Sequence, residues 1–470
     1  MKKVDVAIIG AGTAGITARA EVAKQTDNYV VIDGGILGTT CARVGCMPSK
    51  AFIEVANTFY KRNLFETYGI RNSDTLAPDY EKIMSHVRSL RDRFAGGVVR
   101  SMESWKQYFI PKNAKFIDAN TLDLGDEKIR ADKIIIATGS KPFVPDEWKK
   151  YSQFLLDTDG FFELKTLPRK IAVLGLGPIG IELGQALARL GIDVVAIIRR
   201  NAIGGLTDPD IQNYAYGCFT KEMSIQIGTA QILEQKGDDI IVGCNGLSWA
   251  VDRILTALGR RPALKNLAIE NLGVPLDQQG VPSINDRTLQ VENLPVFIAG
   301  DVSGIRPILH EAADEGRIAG YNAMAKEIGC FEKRTQLNIT FSSPNICIAG
   351  QSYHMLNERK VDFVTGVADY EHQGRAMIMG QNKGKVHLYG DKKTGLLLGA
   401  EMIAPSGEHM AHLIAWAIAN QMRAHDILSM PFYHPVLEEA LRTALRMIVK
   451  QSETPASEFE FSRCSDTPIG

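Results

Sequence analysis

Two cysteines with four residues between them are the first residues of the chain that could do chemistry together. Cys41 and Cys46 lie in the stretch TTCARVGCMPSK, residues 39–50. Such a pair can hold a metal ion, form a structural crosslink or act as a redox dithiol. The spacing alone leaves these alternatives open, so the rest of the chain has to decide between them.

The other cysteines weigh against a metal site and a crosslink. The chain has seven cysteines, an odd and scattered set that is not typical of a disulfide scaffold. A structural zinc site usually draws on a second pair of ligands, but no second pair is present and the nearest histidine in sequence is His86. We therefore predict no metal site, and a redox dithiol remains.

Composition and charge exclude several classes of partner. The 470 residues suffice for about three domains. Because the formal net charge is −1, we expect no nucleic acid and no anionic membrane as a partner. Asp5 interrupts the first apolar run, which argues against a signal peptide, and no segment approaches the roughly 18 apolar residues of a membrane span. We expect a cytoplasmic protein.

The element before the cysteine pair is typical of a nucleotide-binding turn. Residues 4–33 predict a strand, the turn Gly10-x-Gly12-x-x-Gly15, a helix and a second strand that ends in Asp33. One glycine permits the tight turn, one lets a pyrophosphate approach the helix N-terminus, and one permits close helix packing. Asp33 would accept hydrogen bonds from a ribose diol. The alternative is a glycine-rich turn that serves packing alone.

The same pattern recurs later in the chain. Residues 170–200 contain a strand, the turn Gly175-x-Gly177-x-x-Gly180, a helix and a further strand. Two such units imply two dinucleotides, as when hydride passes between a nicotinamide and a flavin. A redox dithiol beside a flavin would account for both units and for the cysteine pair.

The ends of the two units differ. The position equivalent to Asp33 is Ile198 in the second unit, and Arg199 and Arg200 follow it. No carboxylate stands there to bind a free ribose 2′-hydroxyl, whereas two arginines suit a 2′-phosphate. We therefore favour NADPH over NADH for the second site. The alternative is that both arginines are solvated surface residues.

The combination of motifs resembles the pyridine nucleotide–disulfide oxidoreductases, which include dihydrolipoamide dehydrogenases, glutathione reductases and mercuric reductases. The resemblance covers residues 1 to about 450. It rests on the two glycine turns, GTTCARVGCMPSK at 38–50, FIAGD at 297–301 and HPVLEE at 434–439. It implies a homodimeric FAD enzyme of α/β fold, with two Rossmann-like dinucleotide-binding domains, for FAD and NAD(P), and a C-terminal α+β dimerisation domain.

The resemblance also implies a division of the chain. We expect the first part of the FAD-binding domain at 1–145, the NAD(P)-binding domain at 146–265, a returning FAD segment at 266–335, the dimerisation domain at 336–450 and a loosely ordered polar tail at 451–470. The sequence pattern predicts helices at 50–66, 79–107, 309–327, 406–421 and 436–450, and strands at 115–136, 291–301 and 384–403.

Roles at the redox pair follow from the same resemblance. Cys46 would be the thiol next to the flavin, and Cys41 the interchange thiol that attacks the substrate disulfide. Lys50 would lie near the flavin N5 and pair with Glu182. His434 would be the base, oriented by Glu439 through its other ring nitrogen, because thiol exchange requires a thiolate.

Further residues would line the cofactors. The resemblance places Asp301 at the ribityl–phosphate part of FAD and Gly259 at the nicotinamide nucleotide. Ala114 and residues 137–139, which include Thr138 and Gly139, would contact FAD through their backbones.

The chain departs from the family pattern at several points. Thr39 replaces a glycine before Cys41, which alters the turn without removing chemistry. Phe432 and Tyr433 precede His434 where dihydrolipoamide dehydrogenases commonly carry a second histidine. The C-terminal cysteine pair of mercuric reductases is missing, since only Cys464 is present.

The leading expectation is an FAD-dependent dithiol–disulfide oxidoreductase, with dihydrolipoyl group plus NAD(P)+ giving lipoyl group plus NAD(P)H. Its partner would be the lipoyl group of an acyltransferase or a glycine-cleavage carrier protein. The alternative is an NADPH-dependent reductase of glutathione disulfide or another small disulfide. A redox-inactive flavoprotein scaffold would need none of Cys41, Cys46, His434 and Glu439.

Overall fold

The computed structural model describes residues 1–453, so Cys464 and nearly all of the predicted tail lie outside the described residues. Two sheets with parallel strands and flanking helices are followed by a five-stranded antiparallel sheet at the C-terminal end. This is the predicted α/β architecture of two Rossmann-like units and an α+β domain.

The first sheet carries the first glycine turn. Its strands lie in the order β3-β2-β1-β6-β5-β4, and β17 returns late in the chain to pair in parallel with β6. The strands are β1 (Lys2–Ile9), β2 (Tyr29–Ile32), β3 (Phe109–Ile110), β4 (Lys115–Asp118), β5 (Thr121–Asp123), β6 (Lys128–Ile136) and β17 (Val296–Ile298), and the helices are α1 (Thr13–Val22), α2 (Thr40–Val44), α3 (Cys46–Tyr60), α4 (Tyr80–Met102) and α8 (Leu309–Met324). All of β2 is buried, as expected of a parallel strand covered on both faces.

The second sheet is wholly parallel, in the order β11-β10-β9-β15-β8. A three-stranded antiparallel sheet, β12-β13-β14, and the short pair β7–β16 adjoin it. The elements are β7 (Ser140–Pro142), β8 (Leu155–Leu156), β9 (Lys170–Leu174), β10 (Asp193–Ile198), β11 (Ser224–Ile227), β12 (Gln231–Lys236), β13 (Asp239–Cys244), β14 (Leu247–Val251), β15 (Arg253–Thr256), β16 (Arg260–Pro262), α5 (Thr158–Phe161), α6 (Pro178–Arg189) and α7 (Pro209–Phe219).

The C-terminal sheet is antiparallel, in the order β18-β19-β22-β21-β20. Helices α11 and α13 pack on it and bury one apolar face each. The elements are β18 (Leu337–Thr340), β19 (Asn345–Gly350), β20 (Phe363–Asp369), β21 (Lys385–Asp391), β22 (Leu397–Ala404), α9 (Tyr353–Glu358), α10 (Gly374–Ile378), α11 (Gly407–Ala419), α12 (Ala424–Leu428) and α13 (Glu439–Gln451).

Two elements differ from the sequence-based expectation in ways that matter for the site. The helix expected at 50–66 begins four residues earlier, at Cys46, and ends at Tyr60. The strand expected over 291–301 is regular only in β17, and two residues after it Gly300 turns the chain with φ +83°. The first difference places one thiol at the N-terminus of a helix, and the second places Asp301 in the turn after a strand.

Candidate active site

The first glycine turn leaves the N-terminus of α1 open to a ligand. Gly10 has φ +109°, and a Cβ there would lie 2.3 Å from the carbonyl oxygen of Ala137. A Cβ on Gly15 would lie 1.9 Å from the carbonyl oxygen of Gly10, but a Cβ on Gly12, the N-cap of α1, would meet nothing within 4 Å. Packing therefore requires two of the glycines, and the third leaves space for an anionic group at the helix N-terminus.

The second turn repeats this geometry. Gly175 has φ +90°, and its Cβ would lie 2.6 Å from the carbonyl oxygen of Ala257, while a Cβ on Gly180 would lie 1.9 Å from Gly175. Gly177 caps α6 and has open space in front of it. Both turns thus leave open space at the positive end of a helix, where an anionic group could bind.

The positions expected to face the two riboses, Asp33 and Ile198, are equivalent by register. In the first unit the N–H of Gly10 donates to the carbonyl oxygen of Ile32, the residue before Asp33, at 2.8 Å. In the second unit the N–H of Gly175 donates to the carbonyl oxygen of Ile197, the residue before Ile198, at 2.9 Å. Asp33 accepts from the N–H of Ala11 at 2.7 Å, whereas Ile198 is buried. Arg199 and Arg200 are exposed, and within residues 1–453 neither guanidinium has a hydrogen-bond or ion-pair partner.

A cavity of about 440 Å³ joins the two turns to the cysteine pair. It lies between the two parallel sheets and the start of the C-terminal sheet. Its lining includes Gly12, Cys41, Cys46, Lys50, Glu182 and Asp301. Residues predicted from distant parts of the sequence therefore surround one space.

The two cysteines are free thiols, and their environments shift their pKa values in opposite directions. Cys41 lies on α2, and Cys46 is the first residue of α3. A hydrogen bond from the Cys41 thiol, followed by the positive charge of Lys50, lowers the pKa of Cys46 to about 7. The same contact with Cys46 and burial raise the pKa of Cys41. Cys46 is therefore the more acidic thiol of the pair.

The turn before Cys41 has an unusual backbone. Thr39 adopts φ +59°, which a β-branched residue rarely does, and its hydroxyl accepts a hydrogen bond from the N–H of Ala42 at 3.3 Å. The threonine hydroxyl therefore caps α2.

Lys50 and Glu182 form an ion pair across the cavity wall. The Lys50 Nζ lies 2.9 and 3.0 Å from the two carboxylate oxygens of Glu182, although the residues are 132 positions apart in sequence. Lys50 is one turn along α3 from Cys46, and Glu182 is on α6, the helix that opens at Gly177. The pair therefore connects the redox cysteines to the second nucleotide turn.

Several buried polar groups fit an FAD. Ser140 donates to the Asp301 carboxylate at 2.8 Å and accepts from Arg260 at 2.7 Å. The Thr138 hydroxyl is buried and has no partner among the described residues. Gly139 has φ +70° and open space beside it. An unpartnered hydroxyl, a fixed carboxylate and the open Gly12 turn suit the hydroxyl and phosphate groups of a dinucleotide.

Two other predicted contacts have simple surroundings. Ala114 is buried just before β4, so its backbone rather than its methyl group is the part that could meet a ligand. Gly259 lies between β15 and β16 with φ +97° and open space around it. Its carbonyl oxygen accepts from the N–H of Phe143 at 3.0 Å.

His434 and Glu439 are in contact, but away from the cysteines of their own chain. The His434 Nδ1 lies 3.1 and 3.2 Å from the two Glu439 oxygens, and this contact lowers the pKa of Glu439. The imidazole is 79% exposed. Among residues 1–453, His434 is not part of the lining of the redox cavity. Within one chain, the thiols and the imidazole expected to act as the base therefore lie on different surfaces.

Phe341 and His412 are among the residues of the cavity lining that the sequence reasoning missed. Phe341 follows β18 and lies against Lys50, and His412 is on α11. The Nδ1 of His412 lies 2.6 Å from the carbonyl oxygen of Glu408 one turn earlier. A half-buried phenylalanine after a strand carries no sequence signal of its own, and His412 stands outside any motif.

Within residues 1–453, no group of three or more histidine, cysteine or acidic residues is placed to hold a metal ion. Over the same range, no helix is both long and apolar enough to cross a membrane.

Comparison with known families and proteins agrees with this geometry. Residues 4–316 match the family "Pyridine nucleotide-disulphide oxidoreductase", and residues 337–445 match its dimerisation domain. A dihydrolipoyl dehydrogenase of Bacillus subtilis is 28% identical over 456 residues, which cover 95% of this chain and 96% of the relative. The mitochondrial dihydrolipoyl dehydrogenase of Rattus norvegicus is 29% identical, over 94% of this chain and 89% of the relative.

Solved structures share the fold at lower identity. The HOCl-induced flavoprotein disulfide reductase RclA from Escherichia coli, as its Cu(II) complex, superposes with a TM-score of 0.82 at 21% identity, over 95% of this chain and 99% of that chain. LpdA from Mycobacterium tuberculosis gives a TM-score of 0.81 at 21% identity, over 95% and 99% of the two chains.

Proposed function

Because the chain belongs to the pyridine nucleotide-disulphide oxidoreductase family, we propose that it is an FAD-dependent enzyme that oxidises dihydrolipoyl groups with NAD(P)+. The observation that carries the proposal is the cysteine pair, with Cys46 as its more acidic thiol, in the lining of the cavity between the two nucleotide turns. Redox chemistry needs that arrangement, whereas a binding scaffold does not.

The thiols exchange two electrons with the substrate. A dihydrolipoyl thiolate attacks Cys41 of the Cys41–Cys46 disulfide, the S–S bond breaks, and Cys46 leaves as a thiolate. The second substrate thiol then displaces Cys41, which gives the lipoyl disulfide and the enzyme dithiol. FAD, when bound, supplies the two-electron step between this dithiol and NAD(P)+, which becomes NAD(P)H with release of a proton. The positive charge of Lys50 stabilises the Cys46 thiolate throughout.

The proton from the attacking thiol needs a base, and we assign that role to His434 of a second copy. The exposed imidazole, held by Glu439, lies beside a largely apolar groove of about 410 Å³. The groove is lined by exposed or partly exposed side chains that include Leu413, Trp416, Met430 and Tyr433. A second chain that covers this groove would bring each His434 to its partner's cysteines. The match of this region to a dimerisation domain supports the arrangement.

A second candidate substrate follows from the two arginines. Arg199 and Arg200 are free to bind a 2′-phosphate, and NADPH commonly drives reduction rather than oxidation. An NADPH-dependent reductase of glutathione disulfide or another small disulfide would use the same dithiol in the opposite direction. Phe432 and Tyr433, in place of a second histidine, belong to the part of the chain expected at the substrate entrance.

Steady-state kinetics with four substrate pairs tests the proposal. NADH and NADPH are each combined with lipoamide and with glutathione disulfide, and the lipoamide reaction is also run in the oxidative direction. We expect lipoamide to give the highest kcat/KM. Turnover of glutathione disulfide alone would favour the second candidate, and no turnover by an FAD-loaded enzyme with any pair would refute the lipoyl assignment. A cytoplasmic location and a lipoyl-carrying acyltransferase or glycine-cleavage protein as partner belong to the same proposal.

A further inference from the structure

The ammonium group of Lys50 lies between a carboxylate and an aromatic ring. The Nζ atom is 2.9 Å from Glu182 and 4.6 Å from the ring centroid of Phe341. The backbone N–H of Phe341 also donates to the Glu182 Oε1 at 2.8 Å. One residue of the C-terminal domain thus contacts both members of an ion pair formed by the other two domains.

The segment that carries Phe341 is itself held in place by α6. Gln185 accepts from the N–H of Ser343 at 2.8 Å and donates to its carbonyl oxygen at 2.8 Å. Arg189 donates to the same carbonyl oxygen at 2.7 Å. Gln185 and Arg189 are buried, and with Glu182 they lie on one face of α6. This buried face therefore fixes where the Phe341 ring can lie.

The opposite end of the redox helix is attached to the same face of α6. Arg189 donates to the side chain of Asn57 at 2.6 Å, and its guanidinium lies 4.2 Å from the ring centroid of Tyr60. Helix α3 is thereby joined to α6 at Lys50 and again at Asn57 and Tyr60, the last residue of the helix. The Lys50 backbone is fixed at both ends, so the freedom that remains is in the Lys50 side chain.

We propose that Phe341 is a positioning residue for the redox pair, because its ring and its backbone N–H hold the Lys50–Glu182 ion pair next to Cys46. The inference goes beyond the assignment of substrate, but it rests on the proposed role of Cys46 as the thiolate. The face of a phenyl ring attracts a cation, and the ring keeps water away from the ammonium. Both effects strengthen the influence of Lys50 on Cys46, since Coulomb interactions weaken with distance and with solvation.

The variant Phe341→Leu, in a Cys41→Ser holoenzyme, tests the proposal through the reactivity of Cys46. Only the thiolate reacts with iodoacetamide, so the pH profile of alkylation reports the charge on Cys46. We expect the profile to move to higher pH, with the relative rate at pH 7 reduced about two- to tenfold by loss of the cation–π contact. Peptide mass analysis separates Cys46 from the exposed Cys330, which serves as the internal reference.

A matched control is available on α3, the helix that carries Cys46 and Lys50. Phe59 packs against the same apolar cluster as Phe341, and the Arg62 guanidinium lies 3.5 Å from its ring centroid. Phe59→Leu therefore removes a similar ring and a similar cation contact away from Cys46, and it should leave the profile unchanged. Phe341→Tyr keeps the aromatic face and should also match the parent.

Two results would overturn the inference. A Phe341→Leu profile that coincides with the parent shows that the ring does not act on Cys46, and an equal shift in Phe59→Leu shows a general packing effect. If Phe341→Leu does not fold, Phe341→Met takes its place with the same two outcomes. The proposed role of Cys46 as the thiolate next to the flavin is tested separately. If the Cys41→Ser holoenzyme lacked the long-wavelength thiolate–flavin absorbance, that role would be wrong and the inference about Phe341 would fall with it.

Discussion

At the scale of single residues, two chemically identical thiols behave differently because of their neighbours. The Cys41 thiol and the positive charge of Lys50 lower the pKa of Cys46 to about 7, whereas the contact with Cys46 and burial raise the pKa of Cys41. Cys46 is therefore the thiol of the pair that deprotonates first as pH rises. A thiolate next to an oxidised flavin gives a long-wavelength absorbance band, which makes the assignment visible in a spectrum.

We predict opposite spectra for the two cysteine variants. Cys46→Ser should lack the band after reduction. Cys41→Ser should show it without reduction, because a serine hydroxyl can still donate to Cys46. With the pKa of Cys46 lowered to about 7, the band of Cys41→Ser should grow as pH rises through that value and fade below it. A pH-dependent absorbance titration measures both, and a band that persists in Cys46→Ser would show that the charge lies elsewhere.

A second prediction at this scale concerns Glu439. Its contact with His434 lowers its pKa, so the carboxylate stays charged across the neutral range and orients the imidazole. Glu439→Gln should reduce kcat about a hundredfold, within the range for a positioned acid–base group. It should leave FAD content unchanged. The neighbouring Glu438→Gln is the control, and equal activity of the two variants would argue against an orienting role for Glu439.

At the scale of elements, each dinucleotide turn depends on a strand, a helix and the residue that follows the second strand. The register of both sheets places Asp33 and Ile198 at the same position, so the two turns differ in what they offer a ribose. The carboxylate of Asp33 suits free hydroxyl groups, and the exposed arginines after Ile198 suit a phosphate.

We therefore predict that the arginines set the choice of nicotinamide nucleotide. The unmodified enzyme should prefer NADPH, and Arg199→Ala or Arg200→Ala should each lower kcat/KM for NADPH about ten- to a hundredfold, the effect of one lost charged hydrogen bond. The value for NADH should change little. Arg169 is also exposed, but it precedes β9 and so lies at the opposite end of these parallel strands, which makes Arg169→Ala the control. An unmodified enzyme that prefers NADH would contradict the prediction.

The same elements show how far sequence could predict this site. Glycine spacing and strand patterns predicted both turns because local sterics decide them. A Cβ added to Gly15 or Gly180 would lie 1.9 Å from a backbone carbonyl oxygen, so only glycine fits there. The start of α3 at Cys46 was missed because periodicity locates a helix better than it locates the first turn. Phe341 was missed because its contact with Lys50 exists only after three domains pack together.

At the scale of the whole molecule, the groups to which we assign the chemistry lie on separate parts of one chain. The thiols, Lys50 and both turns surround the cavity between the sheets. His434 and Glu439 lie on the C-terminal domain beside an exposed apolar groove. In a two-fold dimer, each chain would lend its base to the other, and two equivalent sites would result.

Complementation between inactive chains tests this central claim most directly. Chains with Cys46→Ser are mixed with chains with His434→Gln, allowed to exchange, and the hybrid dimers are purified and assayed. One site of each hybrid carries both lesions and the other carries neither, so activity should return to about half that of the native dimer. Hybrids of Cys46→Ser with Cys41→Ser are the control and should stay inactive, since each site then lacks a thiol. If the Cys46→Ser and His434→Gln hybrids also stay inactive although both parents fold and bind FAD, the site is built within one chain and the account is wrong.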